Sequence, residues 1–193
     1  MLTQRFAQGL DLAVRAHDGQ LRKGTAIPYI AHPMAVASIA LEYGADEDQA
    51  IAAMLHDAVE DGGAEYEHEI RERFGARVAD IVMGCTDGVP DAYGQKPPWK
   101  QRKEKYLAHL EMATSDVLLV SGSDKLHNAR AILADLHTVG EAVFDRFTAS
   151  KQETLWYYTS LAAIFSRRCI PVAAALADAV AQLHAYREVK AND

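Results

Sequence analysis

The chain has 193 residues, 49% of them hydrophobic and 24% charged, and carries a formal net charge of −7 at pH 7. That balance suits one globular domain that buries its own core without disulfides. The acidic charge argues against general nucleic-acid binding, and no apolar run is long enough to span a membrane.

The first residues have helical apolar spacing and early charges, unlike a signal peptide. Phe6, Leu10, Ala13 and Val14 predict a helix ending near Gly19. Residues 20–28 predict a loop with Gly24 and the basic pair Arg22 and Lys23. Pro33 suits the first position of a helix, which carries Met34, Val36, Ala37 and Ile39 to a stop at Gly44. Asp46 then caps a helix with Glu47 and Asp48 in its first turn, running to Asp61 and halting at Gly62 and Gly63. Further helices are predicted over 66–74, 76–84, 99–113, 116–135, 149–167 and 171–189. The run Val117 to Val120 has strand composition but leads into a helical pattern. Residues 86–98 are the one long loop. In the last helix Val172, Ala173, Leu176, Val180 and Leu183 could pack inside the domain or against a second copy, so a homo-oligomer stays open. The fold expected is all-α, a single compact helical domain over residues 1–193. Cys85 and Cys169 form no spaced pattern and read as reduced core residues of a cytoplasmic protein.

The charge is uneven. Between Lys23 and Arg71 there is no Lys or Arg, yet the stretch holds Asp46, Glu47, Asp48, Asp57, Glu60, Asp61 and other acids. A solvated acidic face and a set of metal-neutralised carboxylates both account for this. In MLHDAVED, helical spacing puts Ile51, Met54, Leu55, Ala58 and Val59 on one stripe, and His56, Asp57, Glu60 and Asp61 on the opposite face. Three acids and an imidazole crowded together repel on an isolated helix; a cation removes that penalty. Imidazole with carboxylate oxygens suits Mn²⁺, Fe²⁺ or Zn²⁺. Pro33 biases His32 away from the αR region, so its ring would project from a helix start; such a histidine also serves as a cap or packing residue. Asp124 and Asn128 share a helix face. If Asp124 is buried it needs a counter-charge, which Lys125 or Arg130 could supply without a metal.

Four blocks together, GQLRKGTAIPYIAHP, AAMLHDAVEDG, IRERFGARV and SDKLHNARAIL, resemble the HD superfamily and, more narrowly, the hydrolase domain of RelA/SpoT-type alarmone enzymes and the stand-alone small alarmone hydrolases. The likeness covers most of the first 135 residues; the C-terminal third matches loosely. It implies an HD domain with His32, His56, Asp57 and Asp124 as ligands of a divalent ion, Mn²⁺ being expected. It implies that Glu60 and Asp61 orient or deprotonate the attacking water, that Asn128 touches ribose or phosphate, and that Arg22 and Lys23 contact the base and its neighbouring phosphates. Lys100, Arg102, Lys103 and Lys105 follow the long loop and are candidates for the diphosphate, Lys103 among them; a solvated basic face is the other reading. Trp156, Tyr157 and Tyr158 are core residues or pocket walls. The departures are a loop before His32 about one residue longer, and Gly62 where Thr is common. The expected activity is guanosine 3′,5′-bis(diphosphate) 3′-pyrophosphohydrolase on a small nucleotide. A hydrolase of another phosphorylated nucleotide such as NADPH, and a non-catalytic nucleotide sensor, are the alternatives.

Overall fold

Thr3 opens the first helix, α1 (Gln4–Ala16), by accepting the Arg5 amide hydrogen on its hydroxyl. The computed structural model describes residues 1–88 and 97–186, and among them there is no strand, only an isolated antiparallel bridge between Leu21 and Pro28. The all-α expectation therefore holds. After the bridge come α2 (Ala31–Glu42), α3 (Glu47–Leu55), α4 (Ala58–Gly62), α5 (Glu65–Phe74) and α6 (Ala76–Cys85). Then follow α7 (Trp99–Met112), α8 (Ser115–Val139), a 3-10 helix (Gly140–Arg146), α9 (Lys151–Arg167) and α10 (Ala173–Ala185). Asp46 caps α3 as predicted, in a reciprocal capping box with Gln49. Residues 89–96 of the expected loop, and 187–189 of the expected last helix, lie outside the described residues.

Besides shifts of a few residues at other helix ends, three differences from the sequence expectation stand out. First, α2 begins at Ala31, so Pro33 is its third residue rather than its first. Proline costs nothing there, because the first four amides of a helix have no partner within it. His32 is thus inside the first turn and fully buried. Second, the helix expected from Asp46 to Asp61 is broken at His56 and Asp57, where Asp57 takes φ −98° and ψ −5°. Consecutive residues of an unbroken helix point about 100° apart; this bridge conformation lets both side chains face the same point. Third, the 3-10 helix is not announced by any periodicity.

The buried apolar residues join in one cluster reaching from Leu12 to Leu183. Helix α8 runs through its middle, against α2, α3, α6, α9 and α10. Every residue from Val117 to Asp124 is buried. A helix covered on all sides is apolar on all sides, which explains the strand-like Val-Leu-Leu-Val composition and carries Asp124 into the interior. The apolar face of α10 is consumed by the chain's own core: Val172 and Leu176 are 0% exposed and Leu183 2%. Of the two cysteines expected in the core, Cys85 is buried there, whereas Cys169 is exposed just past the end of α9. No helix among the described residues is long and apolar enough to cross a membrane.

Candidate metal centre

Four side chains from three places in the sequence meet beneath the start of α2. Asp57 Oδ2 lies 3.1 Å from His56 Nε2 and 3.4 Å from His32 Nε2. Asp124 Oδ1 lies 3.2 Å from His32 Nε2 and 3.7 Å from His56 Nε2. Ligand atoms of His32, His56 and Asp124 all lie within 4.8 Å of one another. His56 is locked by its other nitrogen, since Nδ1 donates to the Ala53 carbonyl at 2.9 Å. Among the described residues its buried Nε2 has no well-directed hydrogen-bond partner, only the nearby carboxylates. Two imidazole nitrogens and two carboxylate oxygens around one point, with an orphaned Nε2 among them, suit a divalent ion of intermediate hardness. The residues present therefore fit such an ion.

The electrostatics agree. Burial works to raise the Asp57 and Asp124 carboxyls, but His56 and His32 around Asp57, and Lys125 beside Asp124, hold both well below the usual carboxylate range. Burial works to lower the His56 imidazole, yet Asp57 and Asp124 outweigh it and raise it well above its ordinary value. Lys125 does provide a counter-charge: its Nζ is 2.5 Å from Asp124 Oδ2. It engages one oxygen only. The other, Oδ1, faces the imidazoles and accepts from Asn128 Nδ2 at 2.5 Å. Arg130 is exposed and does not share in the pairing. Tyr29, fixed as a phenol by burial and by Asp57, donates to Asp57 Oδ2 at 2.7 Å. Neither Tyr29 nor His127, whose Nδ1 is 2.8 Å from His32 Nδ1, is marked by the sequence motifs as a site residue. Tyr29 stands one helical turn before His32 and His127 three residues after Asp124, which is the signal that could have found them.

The cluster opens into a cavity of about 180 Å³ lined by Glu60, Lys103, Lys125, Arg22 and Asn128. Asn128 also lines a 480 Å³ cavity, with Arg22, Lys23, Tyr29 and Ile132, and a 240 Å³ cavity, with Lys23, Lys103, Trp99 and Tyr157. Arg22 Nη2 donates to Asn128 Oδ1 at 3.0 Å. Of the four cations in α7, Lys103 reaches the site. It pairs with Asp87, as does Arg102; Lys100 lies over Trp156 and Lys105 is exposed. Burial and Lys125 push the Lys103 ammonium down. Tyr157 and Tyr158 are buried, both lining the 240 Å³ cavity, and the Tyr157 hydroxyl has no hydrogen-bond partner among the described residues. Glu60 and Asp61, expected side by side on the site face, separate. Glu60 lines the cavity, whereas exposed Asp61 accepts from Gln20 Nε2 at 2.9 Å. Gly62 faces Tyr66, whose ring a Cβ would meet at 2.7 Å, so a larger residue there requires Tyr66 to move.

A family model described as HD domain matches residues 9–164. Guanosine-3′,5′-bis(diphosphate) 3′-pyrophosphohydrolase of Aquifex aeolicus is 38% identical over 132 residues, 67% of this chain and 18% of that protein. The enzyme of the same name from Haemophilus influenzae is 36% identical over 153 residues, 78% and 21%. Bifunctional (p)ppGpp synthase/hydrolase SpoT of Escherichia coli is 31% identical over 159 residues, 82% and 21%. The chain thus spans about a fifth of the length of these curated relatives. A solved structure of a metazoan ortholog of SpoT, described as hydrolysing ppGpp, superposes with TM-score 0.74 at 23% identity, covering 94% of this chain and 97% of that one; the likeness is one of fold. A crystal structure from Listeria monocytogenes EGD-e gives TM-score 0.68 at 25% identity, covering 80% and 99%.

Proposed function

This chain belongs to the HD domain family, and from that premise we propose that it is a divalent-metal phosphohydrolase that removes pyrophosphate from the 3′ position of guanosine 3′,5′-bis(diphosphate). The observation that carries the reading is the junction of an anionic N/O cluster with a nucleoside-sized cavity, joined through Arg22 and Asn128. We treat residues 1–193 as one unit with one site.

His32, His56, Asp57 and Asp124 would hold the ion, and Mn²⁺ is our choice for this mixed donor set. A bound divalent ion supplies Lewis acidity and lowers the pKa of its water from 15.7 towards about 7. Glu60, on the cavity wall, accepts the proton of the attacking water. The water oxygen bonds to the phosphorus next to O3′, the O3′–P bond breaks, and O3′ takes up a proton. Lys103 and Lys125 face the phosphoryl oxygens, and the Tyr157 hydroxyl adds a donor nearby. Arg22, Lys23 and Asn128 hold base and ribose in the larger cavity. Such a substrate argues for the cytoplasm as the place of action, where nucleotide pools reside.

Incubating the protein with Mn²⁺ and ppGpp, then separating products by anion exchange, should give GDP and pyrophosphate in equal amounts. No product at high enzyme loading would sink the reading. A panel including NADPH, ranked by kcat/KM, tests the substrate separately. Preference for another member by orders of magnitude would move the substrate but keep the hydrolase.

A further inference from the structure

His32 and His56 present Nε2 to the same pair of carboxylates, and each must leave that nitrogen unprotonated to bind a cation. His56 achieves this with a backbone carbonyl, which can only accept: Ala53 O takes the hydrogen on Nδ1. Among the described residues no carbonyl performs this task for His32. Its Nδ1 faces instead the Nδ1 of His127, 2.8 Å away, the two ring centroids being 4.9 Å apart. Between two such nitrogens a single hydrogen must be shared. If His127 donates it, His32 carries its hydrogen on Nε2, directed at Asp124 Oδ1 3.2 Å away, and cannot ligate. If His32 donates it, the Nε2 lone pair faces Asp57 and Asp124, and His127 bears its own hydrogen on Nε2.

We propose that His127 is a positioning residue for the metal centre: its Nδ1 accepts the hydrogen on His32 Nδ1 and so keeps His32 Nε2 free to ligate. The inference rests on the metal-site reading above and adds a residue to it. His127 is half-buried on α8, one turn from Asp124, and is not among the residues lining the three cavities. It acts through His32 rather than on the substrate. Because α8 also carries Asp124, one helix fixes both a ligand and the partner of another ligand. Outer partners of this kind are commonly worth about 10–100-fold in metal affinity.

The test reads metal binding and tautomer, not turnover. Calorimetric titration with Mn²⁺ should show His127→Phe, which keeps a ring but removes the acceptor, binding about 10–100-fold more weakly than wild type. His127→Asn, whose Oδ1 can stand near the place of Nδ1, should recover most of the affinity. Circular dichroism of the metal-free variants separates a folding defect from a binding defect, and His127→Leu provides a second acceptor-free variant. Nitrogen-15 NMR of the Zn²⁺-loaded wild type reads the tautomers directly: His32 protonated at Nδ1, His127 unprotonated there. Equal affinity in folded His127→Phe and His127→Leu, or a hydrogen on His127 Nδ1 in the loaded protein, overturns the inference and leaves the metal site standing. Failure of wild type to bind any divalent ion overturns the metal reading itself.

Discussion

Glu60 and Asp61 are neighbours in sequence, but the break at His56 and Asp57 sends them to different surroundings. Glu60 borders the cavity that Lys103 and Lys125 also line, whereas one oxygen of exposed Asp61 is engaged by Gln20. Gln20 in turn meets His17 Nδ1 at 2.7 Å, and the His17 ring lies against Tyr29 with centroids 4.8 Å apart. Asp61 therefore braces the side of the site from which Tyr29 holds Asp57. The two carboxylates should respond differently to removal. Glu60→Gln should lower kcat by about 10²–10⁴-fold, the usual worth of a general base, with metal stoichiometry unchanged. Asp61→Asn should cost no more than about tenfold, the scale of one net hydrogen bond. Measuring kcat and metal content on the same preparations decides it. The reverse order of effects would give the base role to Asp61, and loss of metal from either variant would make that residue a ligand.

Helix α8 concentrates the architecture, and at Gly122 it leaves no room for a side chain. A Cβ on Gly122 would fall 2.5 Å from Val172 Cγ1 and 3.0 Å from Ile170 Cδ1. Alanine there gains about 1 kcal/mol of helix propensity, but overpacking typically costs about 1–3 kcal/mol. Gly122→Ala should therefore lower the melting temperature by a few degrees, and Val172→Ala in the same chain should recover part of the loss, which a thermal double-mutant cycle would read. A rise in melting temperature for the single variant would show that the segment before α10 yields easily. What the sequence reveals at this scale follows from local rules. The Asp46 cap and the stop at Gly44 are short-range signals, and the structure has both; the stripe expected from Ile51 to Val59 gives way to a segment buried on all sides up to His56 and broken there. The start of α2 before Pro33, the break in the HD segment and the 3-10 helix are set by tertiary contacts. His32 meets His127 across 95 positions of sequence and Tyr29 meets Asp57 across 28. No window of local periodicity contains both partners of either contact, whereas the ligand candidates themselves were legible as residue types in spaced blocks.

The acidic stretch divides when the whole molecule is considered. Its outer carboxylates meet arginines from other elements: Glu47 and Asp48 pair with Arg5, Asp46 with Arg77, and Glu69 with Arg15. The pairs of Arg5 are part-buried, and the more exposed ones contribute little each. Asp57, with Asp124, faces inward to imidazoles instead, and that inner group should make stability depend on pH and metal together. Asp57 and Asp124 have lowered values in the folded chain, so their contribution is present above about 3.9 and is lost as pH falls through the lowered values. His56 has a raised value, so its contribution is present below about 6.5 and is lost as pH rises through the raised one. The metal-free protein should thus gain most from this cluster between about pH 4 and 6.5. A divalent ion must displace the proton from His56, so its apparent affinity should rise by about tenfold per pH unit while one proton is being displaced. Stabilisation by a ligand grows as the logarithm of its concentration over Kd, about 2.7 kcal/mol at 100 times Kd. Melting curves at pH 6, 7 and 8, with chelator or with a fixed Mn²⁺ concentration, should therefore diverge as pH rises: the chelated protein loses stability while the Mn²⁺ increment grows. An increment independent of pH would mean that His56 carries no proton in the metal-free chain, and a chelated protein most stable at pH 8 would contradict the ion-paired cluster altogether.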